Sequence, residues 1–232
     1  MNFSNRNLWP LFRFGDETIY ITDTMRGTWI IMAVLIVLAV IVRLKARRFV
    51  ESPAPNSFQN LVELMVESMD QMAKSNMGQE LAPLGAYFFG VFAFILISNY
   101  AGLFGFRPPT ADLATTLSFA LNTFFLIHFL GISRRGGKYF KDYLHPNVIF
   151  LPINIIGEIA RPISLSFRLF GNILGGVIIL GMLYAALPVL LRFILPDALH
   201  FYFDMFAGSL QAFIFTVLSM TFIREKAVSE EE

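Results

Sequence analysis

The stretch "SLSFRLFGNILGG", Ser164–Gly176, carries one permanent charge, Arg168, among apolar and small residues. The nearest acid, Glu158, is ten positions away. A charged side chain at mid-membrane costs roughly 2.5–3.5 kcal/mol on insertion scales, so such a residue marks function when its surroundings are lipid. The surroundings read as lipid. From Pro146 to Ile223, 78 residues hold only Glu158, Arg161, Arg168, Arg192, Asp197 and Asp204 as formal charges. Two long segments, about 146–187 and 198–223, are separated by Pro188 and Pro196. A helix of the first segment's length would measure about 63 Å, twice the roughly 30 Å of a hydrocarbon core. The first long helix is therefore expected to tilt strongly, to break at Pro162, or both.

The rest of the composition agrees. Of 232 residues, 56% are hydrophobic and 15% charged, where a soluble domain carries about 25% charged. The chain reads as an integral membrane protein forming one membrane domain. Its net charge of +1 gives no reason to expect nucleic acid, because the basic residues gather at the ends of apolar spans. The absence of cysteine excludes disulfides, thiolate metal sites and cysteine nucleophiles. The opening "MNFSNRNLWPLF" lacks the pattern of a signal peptide. Its Trp9, Pro10 and Phe12 suggest an interfacial lead-in.

The first span, Gly27–Val42, is followed by Arg43, Lys45, Arg47 and Arg48. By the positive-inside rule that end is cytoplasmic and the N-terminus lies outside. In "NSFQNLVELMVESMDQMAKS", Phe58, Leu61, Val62, Met65, Met69 and Met72 recur at helical steps opposite Glu63, Glu67, Asp70 and Lys74. With Asn56 or Ser57 as N-cap after Pro53 and Pro55, this reads as an amphipathic helix on the cytoplasmic surface. An uncharged span, 84–106, turns at "RPPTAD" and returns through 113–132 to a second basic loop with Arg134, Arg135, Lys138 and Lys141. The expected fold is an all-α multi-pass membrane protein: five crossing helices plus one amphipathic surface helix, the last two long and strongly tilted. The expected division is 1–26 outer segment, 27–48 first span, 56–78 surface helix, 84–132 hairpin, 146–223 long helices and 224–232 cytoplasmic tail. The expected location is the cell's inner (plasma) membrane.

On a helix, Arg168 shares a face with Arg161, Ser164, Leu165, Gly171, Asn172 and Gly175. The glycines would let a neighbouring helix approach closely. That pattern fits a functional charge, or a small-residue packing face with a snorkelling arginine.

"RPISLSFRLFGNILGG", followed some forty residues later by "SLQAFIFTVLSM", resembles subunit a of the F-type ATP synthases, the ion-conducting stator beside the rotor ring. The resemblance includes "ISNYAGLFG" and "PPTADLATTLSFAL" and runs from about Phe88 to the C-terminus. It implies that Arg168 is the family's essential arginine and that Asn172 and Gln211 are polar neighbours of it on the long helices. It also implies that Asn99 belongs to an outer half-channel and that Glu158 is an acid upstream of the arginine. The implied partners are a ring of small hairpin c-type subunits, peripheral-stalk b-type subunits and the lipid bilayer. The implied cargo is H+ or Na+, with no cofactor and no metal site. The long helices would run nearly horizontally against the ring.

On position alone, Glu158 lines an inner half-channel or pairs with Arg161. Asp204 and Gln211, two turns apart on one face, line a wet path or hydrogen-bond between helices. Asp112 caps the next helix or serves the outer surface, and His200 is an interfacial residue rather than a metal ligand. Two positions depart from the family: Val177 stands where many proton-moving members carry an acid, and Asp204 where bacterial members often carry histidine. Both ions stay open. A secondary transporter holding an anionic substrate at Arg168 is the competing reading, although no inverted repeat is visible. No phosphate-binding glycine loop and no protease-like pairing suggest chemistry on this chain.

Overall fold

The apolar runs fold as helices. The computed structural model describes residues 7–14, 17–47, 49, 57–144, 147–188 and 199–228, and it is all-α apart from one hairpin. Five of the helical stretches are long and apolar enough to cross a membrane: Asp23–Ala46, Ala82–Phe104, Leu113–Arg135, Val148–Ala186 and Phe201–Ala227. Asn56, Arg48, Arg192, Pro196 and Asp197, named above, lie outside the described residues.

The hairpin pairs β1 (Asn7–Phe14) with β2 (Glu17–Thr22) antiparallel. The lead-in is thus a two-stranded ribbon, and the β-branched and aromatic run "TIYIT" was its signal in the sequence. Helix α1 (Asp23–Ala46) follows directly and starts before the expected Gly27. Thr22 caps it by accepting a hydrogen bond from the Met25 N–H at 3.3 Å. Asp23 in the first turn and Arg43 and Lys45 in the last complement the helix dipole.

Helix α2 (Ser57–Met77) is amphipathic, but its burial is uneven. Met69, Ala73 and Met77 pack with Phe88, Ile127, Met220 and Ile223, while Phe58, Leu61 and Met65 stay exposed. The surface helix therefore has a protein core under its second half, supplied by the ends of the spanning helices. Helix α3 (Gly85–Tyr100) continues through a 3-10 turn to Phe104, and α4 (Leu113–Arg135) returns. Asp112 does cap α4: its Oδ1 accepts from the Ala114 N–H at 3.0 Å. Short α5 (Gly137–Asp142) leads toward α6 (Leu151–Ala186). The last element begins as a π-helix, Phe201–Ala207, and continues as α7 (Gly208–Ala227).

The 36 residues of α6 pass Pro162 without a break. Proline there removes one N–H, the one that would have met the Glu158 carbonyl, and Pro162 is buried in the bundle. Of the two expected ways to fit the helix, breaking is excluded. At about 1.5 Å per residue α6 is roughly 54 Å long, well over the roughly 30 Å of a hydrocarbon core. The bundle's middle is a core of Val91 and Ile95 from α3, Ala120 from α4, Leu165 and Leu169 from α6, and Ala212 and Phe215 from α7. Lipid is as apolar as leucine, so these helices are held by close contact more than by exclusion of water.

Candidate functional site

Leu165, Leu169 and Ile173 recur every fourth residue and turn one side of α6 into the core. Arg168 is thereby carried on the opposite, exposed side with Gly157, Ala160, Ser164 and Gly171. Among the described residues its guanidinium has no hydrogen bond or ion pair. The glycines on that side are not contact points within the chain: a Cβ at Gly157, Gly171 or Gly175 would meet nothing within 4 Å. The packing-face explanation therefore fails inside this chain, and the face is open. Leu165, expected on the Arg168 face, belongs to the core, and Asn172 is half-buried. Among the described residues, the side-chain amide nitrogens of Asn172 and Gln211 are buried without a hydrogen-bond partner. A buried donor left unpaired costs about 1–3 kcal/mol, so these are polar groups placed against stability.

The basic residues ending α1, α4 and α7 define one end of the bundle, the basic end. At the far end, Asn99 is fully buried and doubly bonded: its Nδ2 donates to the Gly208 carbonyl at 2.8 Å, and its Oδ1 accepts from Thr110 Oγ1 at 2.7 Å. Tyr100 Oη and Ser209 Oγ are 2.7 Å apart, and Thr116 Oγ1 meets Ser166 Oγ at 3.1 Å. Asp204 is buried at 4% exposure, with its Oδ2 2.6 Å from His200 Nδ1. A Cβ on Gly102 would fall 2.6–3.0 Å from the Asp204 carboxylate, so only glycine admits that carboxylate here. Gly176 likewise admits Phe203, whose Cβ and nearest ring carbons a Cβ would meet at 3.0–3.3 Å.

His200, expected only as an interfacial residue, is the side-chain partner of Asp204. Its four-residue spacing to Asp204 was visible, but the π-helical turn between them was not. The wider turn also means that Asp204 and Gln211 are not simply two α-turns apart, although both are buried. Extra-residue turns of this kind recur at functional sites.

At the basic end, Glu158 is buried and ion-paired. Its Oε1 lies 2.5 Å from Lys226 Nζ and 3.7 Å from Arg161. Arg161 bonds at 2.7 Å to Glu225 and lies 5.0 Å over the Phe222 ring. Lys226 sits 4.7 Å over the ring of Tyr143, whose hydroxyl is 2.7 Å from that of Tyr139, itself 2.6 Å from His128 Nδ1. Burial, with the hydrogen bond to Tyr139, pushes the Tyr143 hydroxyl's pKa above the ordinary tyrosine value. Beside these ions, a cavity of about 210 Å³ runs between α6 and α7, lined by Gly157, Ala160, Arg161, Ser164, Arg168 and Phe222. Glu158 is not among the lining residues. Among the described residues no group of three His, Cys, Asp or Glu could hold a metal ion.

The chain matches the model of the family described as ATP synthase A chain over residues 25–224. It is 36% identical over 205 residues to a protein of Syntrophotalea carbinolica called ATP synthase subunit a 2, covering 84% of this chain and 82% of that one. A protein of the same name from Acaryochloris marina is 33% identical over 217 residues, 93% of this chain and 86% of its own. The chloroplastic ATP synthase subunit a of Stigeoclonium helveticum is 33% identical over 249 aligned positions, 97% of each chain.

Proposed function

We propose that this chain, which belongs to the ATP synthase A chain family, is the ion-conducting stator of the membrane sector, with Arg168 as its barrier. The observation that carries this reading is a guanidinium with no partner among the described residues, on an open, small-residue face of a long apolar helix. The missing counter-charge then comes from another subunit, a carboxylate on each hairpin of a c-type rotor ring seated against α6. Peripheral-stalk b-type subunits would hold the stator still. The basic end faces the cytoplasm across a cell's inner membrane, with the N-terminus outside.

Arginine suits the barrier because its pKa exceeds about 12 and it stays charged where lysine can lose its proton. Its charge repels a cation crossing directly between the two routes, and it stabilises a rotor carboxylate that has just released its ion. The far-end route uses Asp204 with His200, Asn99, and the unpaired amides of Gln211 and Asn172, groups that water or a passing ion can satisfy. The basic-end route is the cavity that runs from Arg168 to Arg161. Glu158, paired with two cations, anchors the walls of that route. We assign the proton as cargo, because His200 restores a titratable partner to Asp204 in spite of Val177.

Arg168→Ala tests the assignment. Assembled complexes should lose ion-coupled ATP synthesis and leak cations passively through liposomes, and Arg168→Lys should also couple poorly. Synthesis near the normal rate in the alanine variant would sink the reading. ATP hydrolysis that rises with sodium at fixed pH would replace the proton by sodium while leaving the barrier in place.

A further inference from the structure

The basic end holds two carboxylates on facing helices, and their surroundings differ in the respect that decides which can meet an ion. The side chain of Glu158 is 9% exposed and is held between Lys226 and Arg161. That of Glu225 is 49% exposed and has Arg161 at 2.7 Å. Arg161 itself lines the cavity that ends on Arg168. Glu225 is not part of the cavity lining, but it is bonded to the guanidinium that is.

We propose that Glu225 is the carboxylate through which the transported cation enters or leaves the basic-end cavity, and that Glu158 is the buried counter-charge of Lys226. The inference rests on the stator reading above. Alone, Arg161 would raise the potential in the cavity mouth and exclude cations as Arg168 does deeper in. Glu225 offsets that charge, and being half exposed it can exchange a proton or a hydrated cation at less cost than a closed group. Phe222 under the guanidinium keeps Arg161 beside the cavity while Glu225 changes partners. Glu158 lacks this freedom, since drawing a cation to it would mean displacing an ammonium at 2.5 Å from a nearly closed site.

The test uses the assembled synthase in liposomes, with rates taken per assembled complex. Glu225→Gln keeps an oxygen that can accept from Arg161 and removes only the charge. ATP-driven pumping should fall about tenfold, the scale on which a charge at a channel mouth changes ion capture. Glu225→Asp should recover most of the rate. Because this chain has no cysteine, Glu225→Cys can be modified with a water-soluble thiosulfonate. A negatively charged reagent should restore pumping, and a positively charged one should not. Glu158→Gln should lower the amount of assembled complex more than Glu225→Gln does, because it leaves the largely buried Lys226 without its carboxylate. Normal pumping by Glu225→Gln, rescue by either sign of reagent, or equal loss in both glutamine variants would overturn the inference. Arg168→Ala run alongside separates the two levels: coupling retained there defeats the stator reading, whereas coupling lost there with Glu225→Gln normal defeats only the role of Glu225.

Discussion

The two ends of the bundle are joined by different means. At the far end, α3 meets the last helix through glycines and one buried amide: Gly102 under Asp204, Gly208 against Asn99. At the basic end, α6 and α7 are joined by crossed ion pairs, Glu158–Lys226 and Arg161–Glu225. Glycine contacts work by shape and have one fit. Ion pairs work by charge and tolerate small displacements, but they fail badly when one partner is lost. The contrast suits the proposed stator, which would hold a carboxylate in a narrow polar path at one end and let ions reach a cavity at the other.

Breaking the basic end should give the largest effect. Lys226→Met leaves the Glu158 carboxylate buried with only the longer contact to Arg161, and removing one partner of a buried pair costs about 3–5 kcal/mol. Thermal unfolding of the detergent-solubilised complex should show it, and adding Glu158→Gln should return most of the loss. If the single variant is as stable as the parent, the pair is not what joins α6 to α7.

The far end should respond to shape. Gly102→Val would push a side chain into the Asp204 carboxylate, an overpacking worth about 1–3 kcal/mol, and pumping should drop with it. Normal pumping by this variant would mean that Asp204 can occupy another position without cost.

A smaller change sharpens the comparison. Tyr143→Phe removes the hydroxyl bonded to Tyr139, for about 0.5–1.5 kcal/mol. The raised pKa of Tyr143 sets the sign of its pH effect. Its contribution is present below the unfolded tyrosine value of about 10 and is lost as pH rises past it. The pumping profile through neutral pH should therefore be the same in the phenylalanine variant, while its stability should decline less at alkaline pH. A shift of the neutral profile would place this hydroxyl in the ion route.

The smallest effect belongs to Arg134, which bonds Glu80 at 2.6 Å near the surface. Arg134→Ala should cost less than about 1 kcal/mol, and salt should erase the difference between it and the parent. A larger loss would make the basic end's surface pairs as important as its buried ones.

Much of this is legible in the sequence. Hydropathy and basic flanks locate the spans, because a bilayer imposes length and charge rules on each segment separately. Arg168 stood out because nothing near it in sequence could neutralise it. Asp112 as a cap was legible from its place before an apolar run. Less legible were Pro162, where the bundle overrides proline's local preference, and α2, whose second half found a core that no single segment reveals. The N-terminal ribbon had a signal in "TIYIT" that the aromatic neighbours obscured.

The sequence by itself determined a five-span membrane chain with one unneutralised arginine, since those are properties of composition and local order. Only the tertiary structure decided which carboxylates are closed and which are open. Glu158 and Glu225 look alike in one dimension, and so do the glycines at 102 and 171. Burial, partner distance and the space over a Cβ come from segments far apart in the chain, and Lys226 closing over Glu158 is set by the packing of α7 on α6.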